Sequence, residues 1–141
     1  MPPEAHIEIS TDIARLDIDM IHGYLTTSYW GTGRTRESVE RSLRHSLCFG
    51  AYRDGRQIGF GRVITDHTSF GWVADVFVLP EFQRQGVGKT LMRAMIEHPE
   101  LQGTTLMLRT RDAHGLYRQY GFEEMPRPEE SMWRLRRKEP S

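Results

Sequence analysis

The chain has few of the features that would place it in several large protein classes. It contains one cysteine, Cys48, so an intramolecular disulfide is excluded and no oxidising compartment is required. Its 19 basic and 19 acidic residues cancel. This balance argues against nucleic-acid binding, because phosphate recognition usually appears as a basic excess. No apolar run reaches the roughly 18 residues that a membrane span requires.

Further absences narrow the function. None of the six histidines has a metal-ligand partner at useful spacing, so we expect no metal site. No repeat, low-complexity stretch or long linker interrupts the 141 residues, which predicts one domain over 1–141 with a substantial core. The start, Met1 to Glu4, lacks the basic-then-apolar pattern of a secretory signal, so a cytoplasmic location is expected. Cys48 follows Leu47 and precedes Phe49, which predicts a buried thiol.

Hydrophobic periodicity predicts an α/β order of β-α-α-β-β-β-α-β-α-β. A hairpin is indicated at Asp54-Gly55 and a helix cap at Thr35. Gly121 stands where a left-handed helix end is expected. The predicted strands cover residues 6–10, 48–53, 57–65, 72–79 and 104–108, with closing strands at Phe122 and 132–135. The predicted helices cover residues 13–25, 88–98 and 113–120, with a further one beginning after Thr35.

The most informative segment is the turn that follows the fourth strand. A strand ends at Pro80, and a helix begins at two closely spaced glycines, Gly86 and Gly88. A helix N-terminus has unpaired N–H groups and a partial positive charge, and glycine lets an anion approach them. Arg84 and Lys89 add positive charge nearby. The segment lacks the third glycine of a dinucleotide-binding fingerprint and the spacing of a P-loop, so the pattern predicts an anion site without identifying the anion.

Two blocks of residues carry a resemblance to a known family. Gln83-x-x-Gly86-x-Gly88, after a Val-x-Pro strand end, resembles the acetyl-CoA signature of the GNAT superfamily of N-acetyltransferases. Ala113-x-x-x-Tyr117-x-x-x-Gly121-Phe122 resembles the late helix of that family and the strand after it. The two blocks stand in the family's order. The resemblance implies a single-domain GNAT-like α/β fold, with a mixed central sheet splayed between the fourth and fifth strands and helices on both faces.

The resemblance also implies acetyl-CoA as co-substrate. Its pantetheine would pair with the main chain of the fourth strand, and its diphosphate would lie on the N–H groups before the third helix. Many members carry an asparagine shortly before the late helix, where this chain has Thr110-Arg111-Asp112, and Thr110 replaces it in part. The expected cofactor-binding residues are Val76, Phe77, Val78, Gln83, Arg84, Gln85, Gly86, Val87, Gly88, Lys89, Ala113 and Tyr117.

The implied reaction is direct attack of a primary amine on the thioester within a ternary complex. The expected catalytic groups are the Tyr117 hydroxyl as general acid and the Val78 N–H as oxyanion donor. Asp75 is a candidate general base, because a carboxylate is unusual in an apolar strand. A structural hydrogen-bonding role for Asp75 is equally supported. Asp112 and His114 are further candidates for the base.

The expected acceptor pocket contains aromatic residues from the first helix and the loop after it. His22, Tyr29 and Trp30 are the expected substrate-binding residues, and aromatic walls suit an apolar or cationic amine. A small-molecule amine is the expected partner, with a protein lysine or N-terminal amine as an alternative. Two other functions stay open: a catalytically silent acyl-CoA-binding or sensor domain, and an α/β interaction module whose glycines only shape a turn. Homodimers are common in the family, and the oligomeric state is left open.

Overall fold

The structure is a computed structural model that describes residues 6–136. Five strands form one sheet in the order β1-β2-β3-β4-β5, in which only the β4–β5 pair is parallel. The strands are β1 (Glu8–Ser10), β2 (Leu47–Arg53), β3 (Arg56–Thr65), β4 (Phe70–Val78) and β5 (Thr105–Met107). The α-helices are α1 (Ile18–Thr27), α2 (Arg36–Arg44), α3 (Val87–Glu97) and α4 (His114–Arg118). Short 3₁₀ turns lie at Ile13–Arg15, Pro80–Phe82, Pro99–Leu101 and Pro128–Glu130.

Local sequence signals set the hairpin and the helix starts. Asp54 and Gly55 both have positive φ, 51° and 80°, which confirms the hairpin turn between β2 and β3. The Thr35 side chain accepts a hydrogen bond from the Ser38 N–H and caps α2, as predicted. The start predicted for the first helix is wrong. Residues 13–15 form a separate turn, and α1 begins after Asp17, whose carboxylate accepts from the Met20 N–H.

The helices cover both faces of the sheet, as predicted. On one face α3 packs through Leu91 and Met95 against strand residues such as Phe49. On the other face α1 and α2 pack through Ile21 and Leu43, among others, on strand residues that include Cys48. Burial raises the pKa of the Cys48 thiol to about 11, so the predicted buried cysteine is confirmed.

The predicted closing strands do not form. Residue 122 and residues 132–135 pair with no strand among residues 6–136. The Met132, Trp133 and Leu135 side chains are 97%, 66% and 67% exposed. A strand forms only against a partner edge, and β5 offers only the three residues Thr105–Met107. Gly121 does adopt the expected left-handed conformation, with φ of 89°.

No helix among residues 6–136 is both long enough and apolar enough to cross a bilayer.

Candidate active site

Strand β4 contains a bulge where it pairs with β3. Phe60 pairs with Phe77 and Arg62 with Ala74, so Asp75 and Val76 together stand opposite one residue of β3. Because of the extra residue, alternate side chains of β4 that face one side of the sheet before the bulge face the other side after it. Val73 lies in the core under α3, whereas Phe77, four residues later, lies in the core under α1 and α2. Asp75 has a φ of +56°, which places it in the left-handed region at the centre of the bulge.

The strands β4 and β5 splay apart, as predicted. They pair at only three positions, the last of which joins Trp72 to Met107. Beyond that pair a cleft of about 780 Å³ lies between β4, the segment after β5 and the loop after α1. Residues that line the cleft and matter below are Tyr29, Trp30, Arg62, Trp72, Asp75, Val76, Arg109, Arg111 and Tyr117.

The turn before α3 presents a run of free backbone donors. No backbone N–H from Arg84 to Lys89 donates to an acceptor among residues 6–136. Arg84 and Gly86 both have positive φ, 64° and 85°, and Gly86 provides no side chain to cap the helix. Consecutive amides in such conformations form a concave nest for anions, strengthened by the helix dipole. The turn predicted as an anion site has the donors that such a site needs.

At the end of β4, the N–H and the carbonyl of Val78 have different surroundings. The Leu79 N–H donates to the Ile58 carbonyl at 2.9 Å, which makes Gly59 and Val78 a non-hydrogen-bonded pair. The Val78 N–H therefore points away from β3, towards the side where β5 has diverged. Its carbonyl accepts a hydrogen bond from Gln83 Nε2 at 3.0 Å, which ties the turn to the strand.

Phe77 differs from the expectation that its main chain binds the cofactor. In the ladder its N–H and C=O face Phe60 of β3, because they alternate with those of Val78. Its side chain is buried and stacks on Tyr24, with ring centroids 4.1 Å apart. Of its neighbours, Val76 lines the cleft, and the Val78 N–H points to the side where β5 has diverged.

Tyr117 lies on α4 and lines the cleft. Its ring packs edge-on against Phe122 and contacts the core under α3. Its hydroxyl has no hydrogen-bond partner within the described chain from 6 to 136. Burial raises the pKa of Tyr117, and the nearby Tyr29 phenol raises it further. The hydroxyl is therefore protonated at neutral pH and free to donate.

Asp75 is the centre of a charged network. Arg34 Nη1 donates to Oδ1 at 2.8 Å, and Arg62 Nε donates to Oδ2 at 2.6 Å. The Trp30 indole N–H donates to the same Oδ1 at 3.1 Å. Burial alone raises the pKa of Asp75, but the hydrogen bond from Arg34 and the charge of Arg62 outweigh it and leave the pKa lowered. Both oxygens are thus occupied, and the group is a weak proton acceptor.

The loop after α1 places two of the three predicted substrate residues in the cleft. Tyr29 and Trp30 pack edge to face, with centroids 5.1 Å apart, and both line the cleft. His22 does not line the cleft. Its Nε2 is instead 2.9 Å from the Arg34 carbonyl oxygen. Asp112 and His114, the other candidate bases, are exposed and lie outside the lining of the cleft.

The sequence reasoning missed several arginines. Arg34 and Arg62 hold Asp75, while Arg109 and Arg111 line the cleft. A signal for Arg62 was present, because a charged residue between Phe60 and Ile64 shares a strand face with them and needs a buried partner. Ala113 lies at the start of α4, where its N–H donates to Thr110 Oγ1 at 3.0 Å. Thr110 therefore sets the helix start.

Across the described part of the chain, no three histidine, cysteine or acidic side chains come together in a group that could hold a metal ion.

Residues 44–124 match the family model described as an acetyltransferase (GNAT) domain. The chain belongs to the GNAT family of acetyltransferases. A protein of Gibberella zeae assigned as an acetyltransferase, FG08082, is 32% identical over 133 residues, which cover 77% of this chain and 74% of that protein.

Solved structures agree with this assignment. A GNAT-family protein from Xanthomonas campestris pv. campestris, assigned as an acetyltransferase, superposes with a TM-score of 0.91 at 45% identity, over 92% of this chain and 93% of that one. The N-acetylglutamate synthase from Neisseria gonorrhoeae, solved in complex with coenzyme A and L-arginine, has a TM-score of 0.70 at 21% identity. That match covers 88% of this chain and 29% of the synthase, and shows the fold alone.

GNAT acetyltransferases generally take their acetyl group from acetyl-CoA, and the residues present here fit that molecule. The free amides from Arg84 to Lys89 suit a diphosphate. A Cβ atom at Gly88 would have only Val78 Cγ2 within 4 Å, at 3.8 Å, so the surface beside the turn is open. The fit depends on the main chain and does not require the asparagine that Thr110 replaces.

Proposed function

We propose that this GNAT acetyltransferase transfers an acetyl group from acetyl-CoA to a primary amine in a ternary complex. The observation that carries the proposal is the run of free backbone N–H groups from Arg84 to Lys89, next to a diverging β4 whose Val78 N–H is also free to donate. The turn would hold the diphosphate. Val76 and Val78 would hold the pantetheine arm through their main-chain groups.

When bound, acetyl-CoA supplies an acetyl thioester, so that a nitrogen–carbon bond forms and a carbon–sulfur bond breaks. The Val78 N–H is a fixed donor for the negative charge that develops on the carbonyl oxygen. Tyr117 gives its proton to the departing sulfur and regains one from water. The free hydroxyl of Tyr117 and its raised pKa support this role.

Asp75 has a positioning role in this proposal. It is the only carboxylate that lines the cleft among residues 6–136, and it is already held by two arginines and the Trp30 indole. Its lowered pKa makes it a poor base. It would instead fix Trp30 and thereby Tyr29, the aromatic wall against which the amine binds. The amine would then lose its proton to water rather than to a carboxylate of the protein.

The test combines binding and turnover. Calorimetry should detect acetyl-CoA binding to the folded protein, and release of free thiol in the presence of a broad amine panel should identify an acceptor. Binding without release of thiol from any free, peptide or protein amine would support a silent acyl-CoA-binding domain instead. Absence of binding to well-folded protein would remove the proposal altogether.

A further inference from the structure

The cleft carries an excess of positive charge. Three arginines, Arg62, Arg109 and Arg111, line it, against the single carboxylate of Asp75. That carboxylate already has two cationic partners, Arg34 and Arg62. No carboxylate among residues 6–136 forms an ion pair with Arg109 or Arg111. The chain as a whole has no net charge, so the excess belongs to this cleft.

Each of the two guanidinium groups lies over an aromatic ring. The Arg111 guanidinium carbon lies 3.8 Å from the centroid of the Tyr29 ring, and that of Arg109 lies 4.4 Å from the Trp133 centroid. Stacking occupies the flat face of a guanidinium and leaves its N–H edge free. That edge matches the two oxygens of a carboxylate or phosphate and binds them through paired charge-assisted hydrogen bonds.

The two arginines lie on the acceptor side of the cleft. Both share its lining with Tyr29, Trp30 and Tyr117. The turn from Gln83 to Lys89, where the diphosphate would lie, contributes no residue to this lining within residues 6–136. A molecule anchored at Arg109 and Arg111 would therefore share the cleft with the aromatic wall and with Tyr117.

We propose that the acceptor is a primary amine that also carries an anionic group, a carboxylate or a phosphate, and that Arg109 and Arg111 bind this group. The inference rests on the proposed function. The arrangement also serves the chemistry, because nearby positive charge disfavours the ammonium form of the acceptor. More of the amine is then uncharged and able to attack, although no free carboxylate is present to remove its proton.

The first experiment compares matched acceptors in the thiol-release assay. Phenylalanine is compared with phenylalaninamide and phenethylamine, and 2-aminoethyl phosphate is compared with ethanolamine. Rates are expressed on the concentration of uncharged amine, so that differences in amine basicity cancel. We expect kcat/KM for the better anionic acceptor to exceed that of its uncharged analogue about tenfold or more. The two series distinguish a carboxylate from a phosphate.

The second experiment uses variants. Arg111→Gln and Arg109→Gln should raise KM for the anionic acceptor about tenfold and remove most of the preference over the uncharged analogue. Calorimetry should give wild-type affinity for acetyl-CoA in both. Arg111→Lys keeps the charge but loses the paired geometry, so it should recover the preference only in part. Arg93→Gln, an exposed arginine on α3, is the control with the same charge change and should behave as wild type.

Several results would overturn the inference. Equal kcat/KM for uncharged and anionic amines would refute it. Loss of acetyl-CoA affinity in the arginine variants would also refute it, since that loss would assign these side chains to the co-substrate. If acetyl-CoA binds but no amine of the panel reacts, thermal shifts with the anionic amines in the presence of CoA replace the assay. Stabilisation that Arg111→Gln removes then supports the inference, and no stabilisation refutes it. Failure to bind acetyl-CoA instead refutes the proposed function.

Discussion

The Tyr117 hydroxyl and the Asp75 carboxylate both line the cleft, and their surroundings shift their pKa values in opposite directions. Tyr117 is half-buried without a cationic partner, so its pKa rises and it keeps its proton. Asp75 is buried between two guanidinium groups, so its pKa falls and it stays charged. A proton donor and a fixed negative charge thus lie in one cleft, and of these two groups Tyr117 is the one with a proton to donate.

Replacing Tyr117 by phenylalanine should separate catalysis from binding. Loss of a positioned general acid costs about 100-fold or more in rate, so kcat should fall by that factor. The affinity for acetyl-CoA should change little. Steady-state kinetics and calorimetry measure the two quantities. Tyr120→Phe is the control, because Tyr120 packs beside the same core but does not line the cleft. Equal kcat in the wild type and in Tyr117→Phe would contradict the role of general acid.

Asp75→Asn should destabilise the protein and loosen the acceptor pocket. Removing one partner of a buried ion pair leaves an uncompensated charge and costs about 3–5 kcal/mol. Urea denaturation should show a loss of that order, and KM for the amine should rise while acetyl-CoA affinity is kept. Asp19→Asn breaks only the exposed pair with Arg36 and should change stability little. Unchanged stability together with unchanged KM would contradict the positioning role.

The same carboxylate sets an acid limit on stability. A folded-state pKa below the ordinary value of 3.8 means that the unfolded chain binds protons more readily. The contribution of Asp75 is therefore fully present above pH 3.8 and is lost as pH falls below that value. Denaturation at a series of acid pH values should show this loss in the wild type and not in Asp75→Asn.

At the scale of elements, the cap of α2, the hairpin and the start of α3 followed from local signals. Thr35, Asp54 and Gly86 act through their own backbone or nearest neighbours, so the sequence was sufficient to predict these three features. The start of α1 was not predicted correctly, because the periodicity of residues 13–25 does not show that residues 13–15 form a separate turn. The splay of β4 from β5 was implied only by family resemblance, because it depends on how strands far apart in the sequence pair with each other. The network of Asp75 depends on the same register, since it joins residues 13 and 41 positions apart.

Gly86→Ala should damage the turn before α3. A Cβ atom at a φ of +85° costs roughly 1–2 kcal/mol, and relief of that strain would turn the free amides away from the diphosphate. We expect affinity for acetyl-CoA, measured by calorimetry, to fall about tenfold or more. Gly103→Ala is a matched control, because Gly103 has a φ of +82° in another turn. We expect both variants to lose the same amount of stability and only Gly86→Ala to lose affinity for acetyl-CoA. Wild-type affinity in Gly86→Ala would refute the turn as the binding site.

At the scale of the whole molecule, the two sides of the cleft are joined weakly. β4 and β5 share three residue pairs, and beyond these pairs the cleft separates β4 from the segment after β5. The missing closing strands show the limit of sequence reasoning here. The apolar residues of 132–135 predicted a strand, but strand formation requires a partner edge, and β5 offers only Thr105–Met107.

Acetyl-CoA should stabilise the molecule by bridging the cleft. A ligand present at one hundred times its Kd contributes about 2.7 kcal/mol to the folded state, which raises Tm by roughly 5–10 °C for a chain of this size. Thermal unfolding with and without acetyl-CoA measures the shift, and Gly86→Ala should show a smaller shift at the same concentration. Pantetheine, which lacks the diphosphate, serves as the ligand control. No shift with millimolar acetyl-CoA would contradict binding at the cleft.

The buried thiol of Cys48 has a practical consequence for the chemistry of the molecule. Because it is enclosed between β2 and α2 and its pKa is near 11, it reacts with a disulfide reagent only when this part of the fold opens. The native enzyme therefore adds almost no background when a chromogenic disulfide reports released coenzyme A. Without substrate, the rate at which the same reagent reacts with Cys48 measures the rate of local opening of the fold, with one reporter group per chain.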